Sequence, residues 1–138
     1  MSYEIVERLP TPEEYNYLRA SVGWGTYERD VAASALPNSL YGVCVVEGNA
    51  VVGMGRVIGD GGLCFYVQDV IVTPPNQRRG IGREIMDKLM QYIKDNARTN
   101  SVIGLMAARG VEPFYEHYGF TRRPNEKLGS GMTLFYRR

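Results

Sequence analysis

The chain has 138 residues and a mass of 15.5 kDa, the usual size of one domain, with 44% apolar and 22% charged residues. Sixteen Lys and Arg against fifteen Asp and Glu leave a net charge of +1, which argues against a nucleic-acid partner, because affinity for a phosphate backbone needs a broad cationic surface. No apolar run reaches the roughly 18 residues of a membrane span, and the opening Met-Ser-Tyr-Glu-Ile-Val-Glu-Arg has no signal-peptide core, so a cytoplasmic protein is expected.

Residues 3–8 alternate apolar and polar and predict a short strand. Thr11-Pro12-Glu13-Glu14 predicts a helix start: Thr11 caps, Pro12 fits the first helical position, and Glu14 closes a capping box. Tyr15, Leu18 and Val22 follow at helical spacing, and Gly23 ends the run. A second short helix is predicted over residues 30–36, stopped by Pro37-Asn38. Glu13, Glu14, Glu28 and Asp30 read as solvated charges.

Residues 41–47 and 51–58 flank Gly48-Asn49, a hairpin signal, and Gly59-Asp60-Gly61-Gly62 makes the next turn before a third run, residues 63–72. Together they predict an antiparallel meander. Cys44 and Cys64 lie in these apolar runs and read as free, buried thiols. A helix follows over about residues 80–97, with Ile81, Ile85, Met86, Leu89, Met90 and Ile93 on one face. Residues 102–107 predict a short buried strand, so that strand, helix and strand form a crossover between parallel neighbours. Residues 111–118 predict a short helix ended by Gly119. Residues 120–122 and 132–136 are terminal strand candidates, the last able to pair with a second subunit in a homodimer. Met54, Met86, Met90 and Met106 read as core, and Arg137-Arg138 as a solvated tail. The prediction is one α+β domain over residues 1–138: a mixed sheet with an antiparallel N-terminal meander, flanked by helices.

The chemistry concentrates between Val70 and Arg83. A strand ends at Val72, a Pro-Pro turn follows, and the loop Gln77-Arg78-Arg79-Gly80-Ile81-Gly82 opens a helix. Gly80 and Gly82 let backbone approach a ligand, and the first helical N–H groups, with the helix dipole, form an anion site suited to a pyrophosphate. Arg78, Arg79 and Arg83 add positive charge. A Walker loop needs a Lys that is missing here, and a dinucleotide fingerprint needs three spaced glycines after a parallel strand.

The loop resembles the Gln/Arg-x-x-Gly-x-Gly/Ala pyrophosphate loop of the GCN5-related N-acetyltransferases (GNAT). Asp69-Val70-Ile71-Val72-Thr73-Pro74 resembles their central strand running into it, and Pro113-Phe114-Tyr115-Glu116-His117-Tyr118-Gly119-Phe120 resembles their Phe-Tyr-x-x-x-Gly-Phe segment. The motif-bearing resemblance covers about residues 41–122 and implies the GNAT fold with acetyl-CoA as co-substrate. By position it implies that the loop N–H groups of Arg78, Arg79, Gly80, Ile81 and Gly82 bind the pyrophosphate, with Gln77 and Arg83 flanking them as further cofactor-binding residues. Val70 and Val72 would pair with the pantetheine arm, the Val70 N–H would face the thioester carbonyl, and Tyr115 would protonate the departing thiolate. The acceptor implied is a small-molecule amine or an exposed protein amine.

The sequence also departs from the family. Ala108 stands where many members carry an Asn against the cofactor arm. Tyr66 and Gln68 stand where many carry a Glu or His base; neither is a good base near neutral pH, and with Trp24 they are the candidate residues of the acceptor site. Simple alternation puts Asp69 on the opposite strand face unless a bulge re-aims it. No base is assigned. Trp24 reads equally as a core plug or as a wall of the acceptor pocket, which in this family the early helices frame, and Tyr27 and Tyr41 share that ambiguity. His117 does not share a helix face with Tyr115 and is expected at the surface, and a lone His makes a metal site improbable. A CoA-binding sensor that has lost catalytic groups, or a nucleotide-binding module, are the rival readings.

Overall fold

The computed structural model describes residues 2–137, so Arg138 of the expected tail lies outside the described residues. Two compact units divide the chain, one ending at Ile103 and the other beginning at Gly104.

The strands, all in the first unit but for the last residue of β5, are β1 (Glu4–Val6), β2 (Tyr41–Glu47), β3 (Ala50–Gly59), β4 (Cys64–Val72) and β5 (Val102–Gly104), side by side in that order in one mixed sheet. The pairs β1–β2, β2–β3 and β3–β4 are antiparallel. The hairpin turns at Gly48-Asn49, with Glu47 opposite Ala50. The next turn is held by Asp60, whose Oδ1 accepts the N–H groups of Gly62, Leu63 and Cys64, and these bonds hold the carboxyl below its ordinary pKa. Val102 N–H donates to the Leu63 carbonyl and Ser101 Oγ to Gly62, so β5 starts beside the start of β4.

Helix α1 (Pro12–Ser21) has the expected capping box: Thr11 Oγ1 accepts from the Glu14 N–H, and Glu14 Oε1 from the Thr11 N–H. Helix α2 (Arg29–Ala35) follows, then α3 (Ile81–Asn96). Glu14 also pairs with Arg8 and Glu13 with Arg29, so two of the acids read as solvated are ion-paired at the surface.

Opposite faces of the sheet receive different helices. Ile85 and Leu89 of α3 press on Gly55, where a Cβ would lie 2.5 Å from Ile85, so glycine is required there for the helix to approach the strand. Tyr41 stacks on Tyr92 of α3 with ring centres 4.8 Å apart, which assigns Tyr41 to this core. On the other face Tyr15, Leu18, Ala32 and Leu36 pack with Cys44, Val51, Met54 and Ile71.

The second unit carries α4 (Glu112–Glu116). Phe114 meets Tyr115 and Tyr118 edge-on, and Tyr115 meets Phe120. Four expectations fail. The strand expected to be buried over residues 102–107 runs only over Val102–Gly104, with Val102 64% exposed. Residues 120–122 and 132–136 form no strand: a strand needs a neighbour to answer its backbone groups, and residues 132–136 find none among the described residues, leaving Met132 87% and Leu134 89% exposed. Met106 is exposed rather than core, because β5 stops at Gly104 and the chain beyond it no longer alternates within the sheet. Cys64 is exposed, since it opens β4 beside a surface turn, while Cys44 is buried as expected.

Candidate functional site

Strand β4 changes face partway along. Phe65 meets Tyr92 on the α3 side, and Val67 pairs with Val57 there. Gln68 pairs with Arg56 and Ile71 with Met54, both on the α1 side. Between them Asp69 and Val70 oppose the single residue Gly55 and drop out of the β3 ladder. This is a β-bulge, with Asp69 in the left-handed region at φ 56. The extra residue re-aims Asp69 toward α1, the outcome that alternation alone denied it.

Asp69 is 5% exposed. Its Oδ2 accepts from Tyr15 Oη at 2.8 Å and from Arg56 Nε at 2.9 Å, and its Oδ1 from Arg19 Nη1 at 2.8 Å. Arg56 Nη1 also donates to Ser39 Oγ, and Arg19 Nε to the Gly25 carbonyl. The Arg19 guanidinium lies over the rings of Tyr15, Trp24 and Tyr27. Burial, followed by the Asp69 charge, pushes the Tyr15 hydroxyl up to about 12. Trp24 thus packs against the α1 core and over Arg19, while Tyr66 and Gln68 are half-buried on the same sheet face. The sequence reading missed Arg19 and Arg56. The available signal was a charge inside each of two apolar strands, Arg56 and Asp69, since such charges need partners.

The loop before α3 presents backbone donors. Arg78 sits at φ 66 and Gly80, the N-cap of α3, at φ 83 with open space where a Cβ would stand. The N–H groups of Arg78, Gly80, Ile81 and Gly82 meet no acceptor among the described residues. Ile81 buries its side chain, so only its backbone can serve a ligand. Gln77 points its amide back, and Nε2 donates to the Val72 carbonyl at 2.9 Å, fixing the loop to the end of β4. Arg79 is committed as well: Nη1 donates to Asn76 Oδ1 at 2.7 Å, Nη2 lies 3.0 Å from Glu47 Oε2 at an angle short of a hydrogen bond, and the guanidinium covers the Tyr3 ring. Tyr3 Oη donates to Glu84 in the first turn of α3. Arg78 and Arg83 remain exposed, and Arg78 has no ion pair among the described residues.

Starting opposite Leu63 and only three residues long, β5 covers the first half of β4. No strand among the described residues continues along Val70–Val72. In the second unit Tyr115 is half-buried among Phe114 and Phe120, and desolvation raises its pKa, keeping the phenol protonated. His117 is exposed, as expected, and Ala108 is exposed too. Among the described residues no cluster of metal-ligating side chains occurs, and no helix is long and apolar enough to cross a membrane. A shallow depression of about 280 Å³ lies elsewhere, at the start of α1, lined by Glu13, Glu14 and Tyr17.

Residues 24–136 match the family model of the acetyltransferase (GNAT) domain. An uncharacterised N-acetyltransferase of Prochlorococcus marinus is 32% identical over 115 residues, covering 80% of this chain and 63% of that protein, so the chain spans somewhat under two thirds of that relative. A Staphylococcus aureus protein of solved structure, described as a probable acetyltransferase, is 33% identical with a TM-score of 0.90, covering 98% of this chain and all of that one. An aminoglycoside N-acetyltransferase solved with CoA shares the fold at 12% identity and a TM-score of 0.66, covering all of this chain and 97% of that one. The loop, the bulged strand and the family match agree: this chain belongs to the GCN5-related N-acetyltransferase family and carries its acetyltransferase domain.

Proposed function

We propose that the chain uses acetyl-CoA to acetylate a primary amine of a small molecule, by direct transfer and without a covalent enzyme intermediate. The observation that carries this reading is the set of four unanswered N–H donors at Arg78, Gly80, Ile81 and Gly82, gathered at the start of a 16-residue helix. Donors so placed suit a pyrophosphate, and Arg78 and Arg83 add charge beside them. Val70 and Val72 line the open edge along which a pantetheine arm pairs; the Val72 carbonyl, already accepting from Gln77, keeps one lone pair for it.

In the reaction the amine nitrogen bonds to the thioester carbonyl carbon, and the C–S bond breaks. The Val70 N–H donates to the carbonyl oxygen as negative charge gathers there. Tyr115 passes its hydroxyl proton to the leaving sulfur, and the proton shed by the amine leaves to solvent. A raised Tyr115 pKa suits an acid that must be protonated at neutral pH. Asp69 is held between two guanidiniums and is not assigned as a base. The free thiols Cys44 and Cys64 accord with a cytoplasmic setting.

Two measurements test this reading. Calorimetry should give CoA binding tighter than ATP or NAD; a preference for either nucleotide overturns the loop assignment. Thiol release with a panel of small amines should exceed background. Intact CoA binding with no release for any amine would instead favour a CoA sensor.

A further inference from the structure

A left-handed φ at a residue other than glycine is strained and persists only where the surroundings over-determine it. At Asp69 they do. Three donors from two elements, Tyr15 and Arg19 on α1 and Arg56 on β3, converge on one carboxylate, and two of them are themselves anchored, by Ser39 and by the Gly25 carbonyl. The carboxylate therefore cannot swing, and neither can the backbone that bears it. The peptide unit that follows Asp69 carries the Val70 N–H. Its plane is set by the Asp69 backbone rather than by the β3 ladder, because the ladder skips both residues.

We infer that Asp69 is a positioning residue: clamped by Arg19, Arg56 and Tyr15, it fixes the bulge that aims the Val70 N–H at the thioester oxygen. The inference rests on the proposed role of Val70. It gives a function to a buried charge cluster that an apolar core does not need, since well-packed apolar side chains of similar volume would serve stability equally well. The bulge is then a donor mount, and α1, with its capping box and aromatic lid over Arg19, is the brace.

Asp69→Asn is the direct test, because Asn keeps the volume and tolerates the left-handed region but loses the charge that holds both guanidiniums. Amide NMR reads the result without needing the acceptor. In the wild type the amides of residues 78–82 should shift on adding CoA, and the Val70 amide should shift further with acetyl-CoA than with CoA. In Asp69→Asn the loop response should remain while the Val70 difference collapses. Where an amine substrate is in hand, kcat should fall about 10- to 100-fold and the KM for acetyl-CoA should change by less than about threefold, the split expected of a misaimed donor. Arg56→Lys, which keeps a charge but not the fork, should give a smaller loss of the same kind and serves if the Asn variant does not fold.

A Val70 response in the variant equal to that of the wild type overturns the inference. So does a wild-type Val70 amide that does not distinguish acetyl-CoA from CoA while the loop still responds. A wild-type loop that ignores CoA would instead bring down the proposed function itself.

Discussion

The two faces of the sheet solve opposite problems with the same three strands. Toward α3 the strands lose side chains: Gly55 lets Ile85 and Leu89 settle against the backbone, and the contact is apolar throughout. Toward α1 the strands gain charge: Arg56 and Asp69 meet Arg19 and Tyr15 in a buried, hydrogen-bonded cluster. The first face seats α3, whose opening N–H groups meet no acceptor among the described residues, and close approach of backbone to helix fixes where that N-terminus lies. The second face holds the bulge. The seating of the helix-opening loop thus depends on shape, while the bulged strand depends on polar partners.

The contrast is broken most severely at Gly55. Gly55→Val pushes a branched side chain into Ile85 and Leu89, and about 3 kcal/mol of stability should be lost by overpacking, read as the shift in a urea unfolding midpoint. A variant of unchanged midpoint would show that α3 is not closely seated. At the loop, Gly80→Asp and Gly80→Asn share the tolerance for a left-handed backbone and differ in charge. Titration calorimetry should show the Asp variant about 100-fold weaker for CoA than the Asn variant, because a carboxylate then opposes the pyrophosphate at short range. Equal affinities would move the phosphates away from Gly80.

Outside both faces, Tyr115→Phe should lower kcat about 100-fold with little change in CoA affinity, as loss of a general acid does. Full activity would remove Tyr115 from the reaction. Sharper still for the charged face is its pH dependence. The folded-state pKa of Tyr15, at about 12, lies above its ordinary value of 10.0. Its contribution to stability is therefore whole below pH 10 and drains away as pH climbs toward 12. Thermal unfolding across that window should fall more steeply in the wild type than in Tyr15→Phe, and parallel curves would refute the assignment. The smallest effect separates the two thiols. Cys44 lies in the α1-side core, its thiol pushed up to about 11 by burial, so in the folded protein a thiol reagent at neutral pH should modify Cys64 and spare Cys44.

Much of this was legible in advance where neighbours along the chain do the work. Thr11, Pro12 and Glu14 start α1 through bonds within four residues, Gly48-Asn49 turns a hairpin, and five buried residues of α3 fall on one face. The loop motif was legible for the same reason, since its donors are backbone groups within a few residues of Gly80. The strand reading of residues 132–136 failed because alternation and β propensity describe a surface suited to pairing without supplying the pair. What the motif did not disclose is that the Arg79 side chain is engaged by Asn76, Glu47 and Tyr3, two of them far away in the chain.

By itself, then, the sequence determined the helices and the strands of the meander, their order, the loop that opens α3 and the family they spell. Only the tertiary structure decided which way Asp69 faces and what holds it. A bulge is a mismatch of count between two strands, one residue of β3 against two of β4, and neither strand carries that mismatch alone. Its partners come from 13 to 54 residues away, so their meeting is set by how α1 packs on the sheet, which no local periodicity encodes.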